Sequence, residues 1–177
     1  MLSISKGRSL VYRNLLHILR MKTINPDWIA AIQKIVNPCP YFKLQTMSIK
    51  DIGYGSSRLE IELKKDHLQP FGVVHGGVFA SLIDAAGFWA VFSQADPEVG
   101  MTTVELKLNY LAPAVEGKLV GIGSCIKLGR SLGLGEARVE SESGRLLAHG
   151  TTTLMVQPDL KLDNQIGFPA KYLAGLS

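Results

Sequence analysis

Residues 71–94 read FGVVHGGVFASLIDAAGFWAVFSQ, and the rest of the chain is arranged around them. Asp84 is the only formally charged side chain in this stretch, and His75 is the only other titratable group. A carboxylate among so many apolar neighbours is costly to ionise unless something compensates it. The run from Gly76 to Gln94 approaches the length of a membrane span. Asp84 near its middle and a content rich in Gly, Ala and Ser instead predict a buried helix that other backbone approaches closely. Asp96-Pro97 ends it, because the residue before a proline is driven out of the helical region. A helix apolar nearly all round demands a layer wrapped about it.

Upstream, Asn25-Pro26-Asp27 opens a short helix with Ile29, Ile32 and Ile35 at helical spacing, ending by Asn37-Pro38. Extended segments are predicted over Tyr41–Ile49 and Ser56–Lys64, with Gly53 and Gly55 marking the turn between them. In the second, Leu59, Ile61 and Leu63 alternate with Arg58, Glu60, Glu62 and Lys64, so one face is buried. Lys65–Val74 reads as a loop. Downstream come four strand-like segments, Met101–Leu111, Lys118–Lys127, Gly133–Ser141 and Leu146–Val156. In the first of them Val104, Leu106 and Leu108 alternate with Glu105, Lys107 and Asn109. Their short links predict antiparallel neighbours. One long helix and about six antiparallel strands pack economically when the sheet curls around the helix, an α+β fold. Residues 25–157 form this single domain, between an N-terminal basic extension (1–24) and a peripheral C-terminal tail (158–177).

The chain carries a net charge of +4, yet residues 1–22 alone hold five cations and no acid, so the remainder sums to −1. That balance argues against a nucleic-acid-binding body. The basic segment fits an organellar targeting peptide or a surface-seeking helix, and equally an upstream start codon ahead of Met21. Cys39 and Cys125 have no metal-ligand spacing and no disulfide framework, which predicts reduced thiols in a cytoplasmic setting.

His75-Gly76-Gly77 opens the long helix. The first N–H groups of a helix have no internal partner, glycine leaves them open to approach, and the helix dipole adds partial positive charge. Such a turn suits the oxyanion of an acyl-transfer intermediate; the same glycines would also serve a plain tight turn. Asp84 follows His75 by nine residues, roughly 13 Å of helical rise. One helix therefore does not present both groups to one carbonyl, and a shared site predicts a dimer. Asp84 would otherwise be a buried carboxylate satisfied by Ser or Thr hydroxyls.

The motifs FGVVHGGVFASLIDAAG, TTVELKLNYLAPAVEG and KLGRSLGLGEARVESESGRLLAHGTTT, in this order, resemble the hotdog-fold acyl-CoA thioesterases of the phenylacetate-degradation (PaaI-like) family over about residues 40–157. The resemblance implies a curved antiparallel sheet around one central helix at about 76–94. It further implies a homo-oligomer of dimers with shared active sites, assembled as a tetramer. No metal or cofactor is called for, coenzyme A being part of the substrate. Asp84 would act as nucleophile or general base, the Gly76 N–H would polarise the thioester carbonyl, and His75 would orient the turn beside Gly77. Thr103 would help place the attacking water. Lys127, Gly129, Arg130, Ser131 and Leu132 match a CoA-contacting turn, with Tyr110 and Pro113 at a strand end nearby. Gln69 departs from the pattern, since many relatives carry asparagine there; the extra methylene changes the reach of its amide. Phe79, Phe88, Trp89 and Phe92 would line an acyl pocket or simply pack the core. A non-catalytic acyl-CoA sensor or carrier, and a hydratase, are the rival readings on the same fold.

Overall fold

The computed structural model describes residues 22–162 and 167–173. The basic segment up to residue 21 lies outside the described residues. Helix α1 (Pro26–Val36) starts as its sequence requires: the Asn25 side chain accepts the Asp27 N–H at 3.0 Å, and Pro26 fills the first turn. The segment expected to be extended from Tyr41 breaks in two. Pro40 at the first position starts a one-turn helix, α2 (Pro40–Leu44), and the strand β1 begins only at Met47 (Met47–Gly53). Tyr54-Gly55 turns the chain into β2 (Ser56–Glu62), with Gly55 at φ +79°.

After a short 3-10 turn at Lys65–His67 the central helix α3 runs from Gly76 to Phe92. The remaining strands are β3 (Gly100–Tyr110), β4 (Lys118–Leu128), β5 (Leu132–Ser141) and β6 (Leu146–Gln157). They form one six-stranded antiparallel sheet in the order β1-β2-β4-β5-β6-β3. This is the hotdog arrangement, with the sheet curved around α3. No helix among the described residues is long and apolar enough to cross a membrane.

One expectation about neighbours is corrected. β3 and β4 are consecutive but not paired: β4 has both edges filled, by β2 and β5, and β3 lies three strands away against β6. The link 111–117 must cross three inter-strand spacings, about 14 Å, and seven extended residues reach about 23 Å. It passes the front of α3, where Val74 N–H donates to Ala114 O at 2.8 Å.

The core is the buried side of α3, including Val78, Leu82, Ile83, Ala86 and Val91, against Leu59, Ile61, Val139 and Leu154 of the sheet. Two glycines set the distance of closest approach. A Cβ on Gly123 of β4 would collide with the carbonyl of Ala86, and one on Gly87 with the methyl of Thr152. Burial of this kind stabilises by about 25 cal/mol per Å² of apolar surface, and the missing side chains let α3 sink into the curve of the sheet.

The tail, set aside as peripheral, is partly anchored. Lys171 is only 3% exposed, and its Nζ donates to Phe92 O (2.5 Å) and Ala95 O (2.8 Å). Tyr172 Oη donates to Ser93 O and Ala95 O, and its backbone bridges Ile24.

Candidate active site

At the first turn of α3, His75 has extended backbone (φ −65°, ψ 138°) and its Nδ1 accepts the Gly77 N–H at 2.9 Å. The histidine is thus an N-cap. With Gly77 taken by the ring and Val78 N–H by the His75 carbonyl, the Gly76 N–H has no acceptor among the described residues. The Tyr110 ring lies over Gly76: a Cβ there would come within 2.8 Å of its Cζ and Oη. Tyr110 is also edge-to-face with Phe79 at 6.1 Å.

The approach loop is fixed from below by His67. Its carbonyl accepts the His75 N–H at 2.8 Å, and its Nδ1 accepts the Lys64 N–H at 3.1 Å. Burial, then the Lys64 charge, holds this imidazole below its usual pKa. Gln69 sits above in the loop, its Oε1 accepting the Phe71 N–H at 2.7 Å. Gly72 at φ +79° closes that turn, its N–H on Gln69 O. The Gln69 amide oxygen therefore serves its own loop in this single chain, and Phe71 at the tip is 91% exposed.

Asp84 lies on the half-buried face of α3. Thr103 Oγ1 donates to Asp84 Oδ1 at 2.8 Å, and Thr152 Oγ1 approaches the same oxygen at 3.5 Å. Asp84 Oδ2 has no hydrogen-bond partner among the described residues. A β-bulge makes the Thr103 contact. The register runs Thr103↔Leu154 and then Glu105↔Thr153, so Val104 is the extra residue. The even alternation read for β3 is corrected accordingly: Val104 is 51% exposed, and Thr103 joins Leu106 on the side facing the helix.

Beside Asp84 opens an apolar cleft of about 570 Å³, bordered by Tyr41, Ser81, Phe88, Trp89, Leu106 and Leu162 among others. Tyr41 Oη lies 2.6 Å from Ser81 Oγ, which donates to Gly77 O at 2.8 Å. Of the aromatics set out as acyl-pocket candidates, Phe88 and the largely buried Trp89 border this cleft, whereas Phe79 and Phe92 do not.

The proposed CoA-contacting residues lie elsewhere. Lys127, Gly129, Arg130, Ser131 and Leu132 are all exposed at the β4–β5 hairpin tip, closed by Gly129 N–H to Leu132 O at 2.8 Å. Their hairpin tracks α3 towards its far end, Gly121 touching Leu82 and Gly133 touching Val91. One chain therefore brings together Asp84 with Thr103, and His75 with Gly76, Gly77 and Tyr110. It leaves these two groups and the hairpin tip apart. Sequence reasoning missed Thr152, Tyr41, Ser81 and Leu162. Only Thr152 carried a signal, as a hydroxyl on the inward parity of β6 opposite Gly87.

The thioesterase superfamily pattern matches residues 71–148, which span the N-cap, Asp84, Thr103 and the hairpin tip. A candidate esterase of Halobacterium salinarum is 35% identical over 118 residues, covering 64% of this chain and 78% of that protein. The chain belongs to the thioesterase superfamily. Its reaction class is thioester hydrolysis. A 1,4-dihydroxy-2-naphthoyl-CoA hydrolase of Listeria monocytogenes is 25% identical over 65% of this chain and 94% of that enzyme. Among solved structures, a thioesterase from Haemophilus influenzae superposes with a TM-score of 0.67 at 22% identity, over 73% of this chain and 90% of that one. That likeness supports the fold.

Proposed function

We propose that the protein hydrolyses acyl-CoA thioesters, aryl or fatty, to the free acid and CoA, as a PaaI-like member of its superfamily. The observation that carries this reading is the state of Asp84. One carboxylate oxygen is held by Thr103 at 2.8 Å, while the other has no partner among the described residues, on a side chain that borders an apolar cleft. An oxygen left unpartnered beside the cleft is what a general base needs in order to reach a water there.

In the mechanism Asp84 takes a proton from water, and the resulting hydroxide attacks the thioester carbonyl. The tetrahedral oxyanion accepts the Gly76 N–H of a second copy, at a helix N-terminus that favours negative charge. Collapse breaks the C–S bond, and the CoA thiolate takes the proton from Asp84. The alternative in which Asp84 itself attacks forms an anhydride that water then cleaves; 18O entering Asp84 in one turnover would mark it.

The second copy is required because Gly76 lies eight residues from Asp84, about 12 Å along the helix. Among the described residues β3 is paired on one side only, at the sheet edge. Antiparallel pairing with the β3 of another copy would lay the two α3 helices head to tail, Asp84 of each towards Gly76 of the other, and the exposed hairpin tip towards the partner's site. Two such dimers would make the tetramer.

Asp84→Asn tests the assignment. With folding and oligomer mass unchanged, kcat on a panel of acyl-CoAs should fall at least ~100-fold. Near-normal turnover in that variant, or release of no CoA by the unaltered protein, would sink it.

A further inference from the structure

A second cavity of about 320 Å³ lies at the far end of α3, bordered by Trp28, Phe92, Phe168 and Lys171 among others. Leu162 borders both this cavity and the cleft beside Asp84. The aromatic rings are also continuous between them. Phe88 of the cleft stacks on Phe92 of the second cavity at 5.5 Å, and Phe92 stacks on Trp28 at 6.4 Å. From Asp84 to Phe92 is eight residues, about 12 Å of helical rise. Each cavity alone lies near the lower or middle part of the range for small-molecule sites, about 300–1,000 Å³.

We infer that the two cavities are successive chambers of one acyl channel, separated by Leu162, and that the substrates are thioesters of long, unbranched aliphatic acids. The inference rests on the thioesterase reading of Asp84. The carbonyl sits at Asp84, the chain passes Phe88 and Leu162, and its methyl end packs between Trp28, Phe92 and Phe168. A single aromatic ring would be held by the first chamber and gain nothing from the second. A flexible chain buries apolar surface in both, at about 0.8 kcal/mol per methylene. The Lys171 cation does not oppose it, since its Nζ is turned onto Phe92 O and Ala95 O.

The two tryptophans of the chain lie one in each chamber, Trp89 in the first and Trp28 in the second. Binding of hexadecanoic acid brominated near its methyl end, or near its carboxylate, is therefore read by fluorescence without turnover. In Trp89→Phe, which leaves Trp28 as the emitter, the methyl-end bromines should quench at least twice as strongly as the carboxylate-end ones; in Trp28→Phe the order should reverse. Equal quenching by both acids, or none, overturns the channel. In turnover, Leu162→Trp should lower the ratio of kcat/KM for palmitoyl-CoA over butanoyl-CoA at least tenfold, and an unchanged ratio overturns it. Should that variant not fold, the quenching still decides. A protein that hydrolyses no acyl-CoA yet shows the quenching pattern would refute the thioesterase reading and leave the channel standing.

Discussion

At its first turn α3 keeps the Gly76 N–H without an acceptor among the described residues, while at its last turn Phe92, Ser93 and Ala95 offer carbonyls that Lys171 and Tyr172 occupy. The helix dipole makes the first end attractive to anions and the second to cations. The chain fills the cationic vacancy itself, with a lysine ammonium 4.4 Å from the Phe92 ring centroid and 5.3 Å from that of Trp28. At the first end the described residues supply only a histidine cap on the neighbouring N–H. On the proposed mechanism, the difference separates an end left open for chemistry from an end closed for stability. Substitutions at the first should therefore change kcat with little change in Tm, and substitutions at the second should do the reverse.

The largest effect expected from this contrast is at Gly76. Gly76→Ala places a methyl against the Tyr110 ring, 2.8 Å from Cζ, and, on the proposed mechanism, beside the N–H that the carbonyl oxygen must reach. Steady-state kinetics should show kcat down roughly a hundredfold to a thousandfold, as for loss of an oxyanion donor, with the melting temperature within a few degrees of the parent. Mixing it with Asp84→Asn sharpens the point. If sites are shared, re-dimerisation of the two impaired variants restores one intact site in each heterodimer, about a quarter of all sites. No recovery, with heterodimers shown to form, would place both groups in one chain's site.

How far these ends were legible differs for a physical reason. The first end was written in a local motif: His-Gly-Gly before an apolar run dictates a capped helix start, and Asp84 stood out as one charge in 24 residues. The extent of α3 followed from an apolar run closed by Asp96-Pro97, and most strand bounds from alternation and turn residues, which are also local. The second end was not legible, because Lys171 meets Phe92 across 79 residues of sequence and no spacing rule reports such a contact. The bulge at Val104 was hidden for a related cause. Alternation predicts a regular strand, and the extra residue is detectable only against the register of β6. Strand order failed likewise: the link 111–117 is short enough for a hairpin, and only the occupied edges of β4 forbid one.

At the second end, Lys171→Ala should leave kcat for short-chain substrates near normal, since the residue is remote from Asp84. It strips the Phe92 carbonyl of its lysine donor and opens a void among Trp28, Phe92 and Tyr172, for an expected loss of about 1–3 kcal/mol in urea unfolding. Lys171→Met fills the same volume without the cost of burying charge, and replacing a buried charged group by an apolar one is often neutral or stabilising. Stability should therefore rank Lys171→Met at or above the parent and Lys171→Ala below both. A parent clearly more stable than Lys171→Met would show that the ammonium itself, rather than its packing, holds this end.

The smallest effect is a pH dependence that belongs to this end alone. Burial lowers the Lys171 pKa from 10.5 to about 7, partly opposed by Asp96. Between these values the unfolded chain binds a proton that the folded chain has released, so unfolding free energy rises with pH across that window. Below about 7 both states are protonated and the contribution is flat, with the full charge buried. Tyr172 acts with the opposite sign at the alkaline side. Burial raises its pKa above the ordinary value of 10, so the folded state retains its proton as pH passes 10 and stability falls there. The end of α3 closed by the tail is thus most stable from the upper part of the lysine window to about pH 10. Urea midpoints taken at pH 6, 7, 8 and 9 should climb above pH 7 in the parent relative to Lys171→Met, with the two curves running parallel below it. Curves parallel throughout would mean that Lys171 keeps an ordinary pKa when docked, and the contrast between the two ends would then rest on geometry alone.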